Sequence, residues 1–393
     1  MRRILTIALK LFVAATAVVV VLMSVSPVYD FATPQKFRGP RIYNPYEGTD
    51  SVWLKCCLHT HSKVEKGINE CDFTPAEVYE EYKGWGYDVV EFANHMQETS
   101  HPSRPEWEIR LYEHGINICK FHKLVFGSKR VLMYDHLYPF MASQRQWMID
   151  LLLRDADLLC FNHPDRTFST PKAVMESLTG YTLLEADSGF DDSEPGDPLA
   201  PSAATSAWRW DAALSAGHYS HSMLSDDNHN PKDESSIARR CTWIDSPSPA
   251  YPDMLDALRS GRFYSMHIPA THSREDVLPR IKSIGLRGDT AFIRLSSPAL
   301  VRAIGEQGKV LSWTEGDRME YVLGAEEPYL RFTATWPDGT EIFSNVFARY
   351  DEDPSELFVP TPHPLNITLT ILYNAALAAL LLLCLYSLFH KKR

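Results

Sequence analysis

The sequence predicts an α/β domain followed by a small all-β domain, with an apolar segment at each end of the chain. Three observations predict it. From residue 51 to 278, apolar strand-like runs alternate with amphipathic helical segments, the signature of a β/α barrel or a doubly wound sheet. From 279 to 352, short alternating runs separated by turn residues replace that pattern, with no helix period between them, as in an antiparallel β-sandwich. The two ends carry apolar runs suited to a membrane.

The first segment, residues 1–27, has a basic head and an apolar run from Leu11 to Met23. It reads as a signal peptide or an uncleaved signal anchor. Lys10 shortens the apolar core, as in a signal peptide, whereas Pro27 and the absence of an A-x-A site favour the anchor. Residues 28–50, rich in Pro, Tyr and Gly, read as a linker. Residues 353–366 form a second linker, and 367–389 are long and apolar enough to span. Residues 390–393 are a basic tail. The positive-inside rule puts both basic ends in the cytoplasm and the main domain on the extracytoplasmic side of the cell membrane.

Inside the α/β region "VWLKCCLHTH" reads as a strand and "TPAEVYEEYKGWG" as a helix. Thr74 suits its N-cap, Pro75 the first turn, and Glu77 completes a capping box. Strands follow in "YDVVEFANH", "INICKFHKLVFG", "RVLMYDH", "DLLCFNHPD", "YTLLEADS" and "HYSHSMLSDDNH". Helices are predicted in "SQRQWMIDLLLRDA", "PKAVMESL", "SAWRWDAALSAG" and at the start of "YPDMLDALRSGRFY".

Composition narrows the functions. An apolar content of 45% supports a substantial core, and a formal charge of −11 without a basic stripe argues against a nucleic-acid partner. No Gly-rich dinucleotide fingerprint or phosphate loop is present. The seven cysteines show no C-x-x-C pair, so neither a zinc ribbon nor a disulfide framework is indicated, and buried thiols are expected.

The chemistry lies at the strand ends. His59 and His61 end the first run one residue apart, and alternate residues of a strand share a face. His95, His136 and His163 each end a later run, and Asp227 with His229 repeats the paired spacing. One histidine after a strand is ordinary. Five runs ending in this way point to one rim, because C-terminal strand ends converge on the active face of a β/α barrel. Imidazoles and a carboxylate there suit divalent metal ions.

At these residues the chain resembles the polymerase and histidinol phosphatase (PHP) family. "LHTHS" resembles its first motif, "ANH" its Thr-Asp-His, "NHPD" its His-Pro motif and "SDDNH" its closing Asp-x-His motif, with His136 at the place of its middle histidine. The closing "ALRSGRFYS" is similar to the end of PHP modules of carbaryl-hydrolase type. The resemblance covers about residues 51 to 266 and implies a distorted seven-stranded β/α barrel with a hydrolytic centre of zinc, manganese or iron. Three positions depart from the family pattern. Lys66-Gly67 stands for an Asp-Gly, with Glu65 nearby, and Ala93-Asn94 loses a carboxylate. Gly127-Ser128 stands where a bridging glutamate is usual, leaving Asp135 and Glu185 as replacements. One to three ions are expected.

The resulting expectation is a membrane-anchored, metal-dependent hydrolase, foremost a phosphoesterase acting on a small-molecule or phosphorylated substrate through metal-activated water. Asp226 would orient the water or a ligand, and Arg166 would hold a phosphate with its planar fork. The alternatives are an ester or amide hydrolase of carbaryl-hydrolase type, and a degenerate, non-catalytic PHP barrel that binds a ligand.

Overall fold

The computed structural model describes residues 2–49, 52–102, 109–166, 170–188 and 207–390. The strands are β1 (Arg41–Tyr43), β2 (Trp53–Thr60), β3 (Val89–Phe92), β4 (Leu111–His114), β5 (Lys123–Phe126), β6 (Leu158–Phe161), β7 (Leu183–Ser188), β8 (His221–Ser225), β9 (Arg240–Asp245), β10 (Phe263–His267), β11 (Ile281–Arg287), β12 (Thr290–Ile304), β13 (Val310–Val322), β14 (Tyr329–Thr335), β15 (Glu341–Ser344) and β16 (Phe347–Tyr350). The helices are α1 (Arg2–Leu22), α2 (Pro75–Gly84), α3 (Ala142–Leu152), α4 (Lys172–Met175), α5 (Ala207–Ser215), α6 (Tyr251–Ser260) and α7 (Ile367–Phe389). The capping box is present: Thr74 accepts from the Glu77 amide, and the Glu77 carboxylate accepts from the Thr74 amide.

The strands form two sheets, and the expected distorted seven-stranded β/α barrel is not seen among the described residues. One sheet has five strands in the order β4-β5-β6-β7-β8. The other has 11, running β1-β16-β14-β15-β10-β9-β2-β3 with β11, β12 and β13 branching from β14 through β12. Among the described residues the backbone ladders of the two sheets are linked by isolated parallel bridges, Thr60 with Asn228 and His95 with Glu113. The reason lies in β9. It pairs antiparallel with β2 and with β10, so it takes the edge of β2 that closure onto β8 would need.

Two further expectations change. Residues 279–352 are continuous with the α/β region, because β15 pairs with β10. The linker at 28–50 contains β1, which pairs with β16. It also runs beside the C-terminal linker, with the Asp30 amide on the Pro364 carbonyl and the Asn366 amide on the Val28 carbonyl. "RVLMYDH" forms no strand. All seven cysteines are free, six of them buried.

What positions the site is a layer of apolar side chains between the sheets. Cys56, Leu58, Leu111, Leu124, Phe126, Cys160, Leu183 and Met223 pack with Met254 and Leu258 of α6. Two residues along the same face come Glu113, His122, Asn162, Glu185 and Ser225 (from Leu111, Leu124, Cys160, Leu183 and Met223), all buried. The polar layer therefore stands on a dry floor. On the outer face of the five-stranded sheet, α3 and α5 contribute Met148, Ile149 and Trp210 to a second core.

Asp211 of α5 clamps Arg331 of β14 in two parallel bonds of 2.9 and 2.6 Å, both side chains being buried. Asp211→Ala strands a buried guanidinium, and such losses cost about 3–5 kcal/mol. A thermal midpoint lowered by several degrees in calorimetry of the detergent-solubilised chain is the expected result.

Candidate metal centre

The centre is built around Glu113, the third residue of β4. Its Oε1 lies 3.1 Å from His122 Nδ1, 3.2 Å from His163 Nε2 and 2.9 Å from the amide nitrogen of Asn162, which donates to it. Its Oε2 lies 3.1 Å from His95 Nε2 and 3.5 Å from Nε2 of both His59 and His61. Asp227 faces it: Oδ1 is 3.1 Å from His59 Nε2 and 2.9 Å from His61 Nε2. Glu70 Oε2 closes the open side, 2.9 Å from His95 Nε2 and 3.3 Å from His229 Nε2.

Among the described residues, three overlapping groups emerge in which one donor atom per residue lies within 4.8 Å of the others: His59, His61, Glu113 and Asp227; His61, Glu70 and His95; and His95, Glu113 and His122. Nitrogen and carboxylate donors at this density fit divalent cations. The orientation of His59 fits as well. Its Nδ1 is 2.7 Å from Glu185 Oε1, which turns Nε2 toward the centre, and Nε2 is buried without a hydrogen bond. Glu185 in turn accepts from the His163 amide and from Ser225 Oγ. It therefore braces the ligands from behind, in place of the bridging role expected of it.

The electrostatics are those of a site that wants cations. Burial works against ionised Glu113 and Asp227, but the surrounding imidazoles outweigh it and hold both carboxyl groups well below their usual range. Burial lowers the His59 pKa and carboxylates outweigh it, so it ends well above normal; His95 rises to about 9 against the same burial, drawn up by Glu113 and Glu70. Burial prevails at His61, lowered to about 4, and at His122, lowered to about 3. His163 and Asp227 have positive φ, 25° and 48°. Such backbone costs of order 1–3 kcal/mol each and collects at functional sites.

The structure thus gathers His59, His61, His95, His163, Asp227 and His229. It does not bring in His136, Asp135 or Asp226. His136 Nδ1 lies 3.0 Å from the Met23 carbonyl and its ring packs on Trp147, at the end of α1. Asp135 accepts from the Ile116 amide and the Asn117 side chain, fastening the loop after β4. Both oxygens of Asp226 are consumed by Tyr82 and the backbone amides of Ala238, Arg239 and Arg240. Arg166 does reach the centre, with Nη1 3.3 Å from Asp227 Oδ2.

Glu113, His122 and Glu70 were missed by the sequence reading. The sequence signal for the other donors is a histidine at a C-terminal strand end. But β5 runs antiparallel to β6, so its N-terminal end faces the mouth, and His122 precedes the strand. Glu113 sits on a four-residue strand too short for a periodic pattern. The one available signal was Gly115, eight residues before the Lys123 strand start (φ 144°), where a Cβ would fall 2.2 Å from His122 Cδ2. Ser128 itself donates to the Arg130 carbonyl, and the buried carboxylate among these histidines comes from the neighbouring strand β4.

No family model matches the chain, and no curated relative matches it. Solved structures similar to it include a two-domain protein from Bacteroides vulgatus containing a predicted PHP-like metal-dependent phosphoesterase. That match has 12% identity over 81% of this chain and 99% of the other, with a TM-score of 0.37. The lesion-specific endonuclease PfuEndoQ from Pyrococcus furiosus is similar at 14% identity over 53% of this chain and 56% of its own, with a TM-score of 0.35. Likeness this distant carries no argument, and the chemistry rests on the side chains above.

Two outcomes follow. In elemental analysis of the purified chain, His122→Ala sheds at least one ion while His136→Ala keeps the wild-type content. Cations must displace the protons that His59 and His95 hold at neutral pH, so metal binding releases protons and weakens as pH falls below about 9, the His95 value. Titration calorimetry of the metal-free chain in buffers of different ionisation enthalpy measures that release.

Proposed function

We propose that this chain is a membrane-anchored metal-dependent hydrolase that cleaves phosphoesters. The observation that carries this reading is Glu113: one buried carboxylate faces imidazoles from both of its oxygens and belongs to two of the three donor groups. Up to three ions would be held, by His59, His61, Glu113 and Asp227, by His61, Glu70 and His95, and by Glu113, His95 and His122, with His163 and His229 at the edges. Ions bound there supply Lewis acidity, making a water nucleophilic at neutral pH and neutralising charge on the ester oxygens.

The chain's own residues supply the positioning. Glu185 holds His59, Asn162 holds Glu113, and the apolar floor keeps bulk water from beneath the ligands. Arg166 stands beside Asp227 with a planar fork suited to two oxygens of a phosphate. A fixed cation beside several cation sites suits a phosphoester dianion better than a neutral carboxylic ester, which favours the phosphoesterase over the carbaryl-hydrolase type of activity. The degenerate-barrel alternative rested on a missing bridging carboxylate, and the buried Glu113 among the imidazoles supports the catalytic reading over it. Both α1 and α7 contain windows long and apolar enough to cross a membrane, and neither window is buried in the domain. This supports anchoring through the terminal helices, with the domain extracytoplasmic by the charge rule.

The test uses the full chain in detergent with p-nitrophenyl phosphate and p-nitrophenyl acetate. Phosphate ester cleavage should need added manganese or zinc, stop with a chelator, and vanish in His59→Ala plus His61→Ala with the far-UV spectrum unchanged. Cleavage of the acetate alone would defeat the phosphoesterase reading. Arg166→Met should lower kcat/KM by about 10- to 100-fold, the range for losing a charge-assisted contact, mostly through KM.

A further inference from the structure

The terminal helices are not loosely tethered to the domain. They pack on each other: Lys10 Nζ donates to the Leu388 carbonyl, Ser26 N donates to Asn374 Oδ1 and Tyr373 OH donates to the Ser24 carbonyl. The domain grips the far end of this pair. Gln144 Nε2 contacts the Ser24 carbonyl and Tyr373 OH, Tyr134 OH reaches the Leu22 carbonyl, and His136 meets Met23.

That grip lies deep. We take His390, the C-cap residue of α7, to mark the level of one membrane surface, beside Leu388. From Leu388 to Tyr373 the helix rises about 22 Å, less than the hydrocarbon thickness of about 30 Å. The residues clasping Tyr373 and Ser24 therefore sit below the domain-side surface of the bilayer. The adjoining loop suits that depth. Met133 and Phe140 are 68% and 65% exposed, and Tyr138 stacks on Phe140 at 5.9 Å.

The loop also connects to the metal centre. The Ile118 amide donates to the Leu137 carbonyl, and the Ile116 amide to Asp135. Ile116 and Ile118 are exposed, and they lie on the β4–β5 turn that carries Glu113 before it and His122 after it. β5 is antiparallel to β6, so this turn lies at the end of the sheet where His163 follows β6. One apolar strip thus runs from the helix pair to the rim of the centre.

We propose that residues 116–118 and 131–140 form a lip seated in the domain-side leaflet, and that the metal centre takes an amphiphilic phosphoester presented by that leaflet. The substrate half depends on the hydrolase reading; the lip does not. The bilayer is the fitting occupant because the strip is continuous with the apolar helix pair and lies at its depth.

Two measurements on the full chain in lipid nanodiscs test it. Spin labels at Met133→Cys and Phe140→Cys should show the oxygen-rich, chromium-oxalate-poor accessibility of a lipid environment, whereas a label at Val277→Cys, on a loop beside α2, should read as aqueous. Aqueous values at both lip positions overturn the lip. Met133→Asp with Phe140→Asp should lower turnover of nanodisc phosphatidic acid by about tenfold or more, because two apolar side chains are withdrawn from the leaflet, while p-nitrophenyl phosphate turnover in detergent is unchanged. Equal loss on both substrates, or on neither, overturns the substrate claim. Wild type inactive on p-nitrophenyl phosphate strikes at the hydrolase reading, and the labels then decide the lip by themselves.

Discussion

A carboxylate with no access to water needs compensating charge, and Glu113 sets the terms for everything around it. It is 1% exposed. Asn162, His122 and His163 answer one oxygen, while His59, His61 and His95 approach the other. The imidazoles are as dependent on the carboxylates as these are on them, because burial alone would leave the rings neutral. At His59 and His95 the carboxylates prevail over burial; at His61 and His122 they do not. A buried cluster this dense in imidazole and carboxylate donors, with His59 Nε2 left unbonded, is poised for cations.

The fold serves that cluster through strand geometry. Apolar side chains fill one level between the sheets, and two residues further along the same faces the polar donors begin. A period of two turns a modest hydrophobic pattern into a stack of layers. Because the sheets are bridged, not closed, donors arrive from β2 and β3 on one side and from β4 to β8 on the other. The left-handed backbone at His163 and Asp227 aims two of them inward.

The C-terminal strands and the helix pair join this unit through shared hydrogen bonding. β15 extends the sheet from β10, the two linkers run side by side, and α3 meets both terminal helices through Gln144. These bonds fix how the two terminal helices stand relative to the strands, which a flexible tether would not do. In the proposed membrane-anchored hydrolase, that fixed relation would set the height of the centre above the bilayer.

Local events are legible in the residue order alone: the strand ending at His59 and His61, the capped helix at Thr74, the Asp-x-His pair at 227 and 229, and the two apolar ends. Each is written in a spacing of a few residues, where side-chain alternation or a cap leaves a periodic trace. Which donors meet was set by long-range packing. The direction of β5 turned His122 inward, β9 withheld the edge needed for closure, and a four-residue strand brought Glu113 to the middle, while His136 went to the end of α1. Strand direction and neighbour choice depend on pairings between residues far apart in the chain, so no local pattern records them.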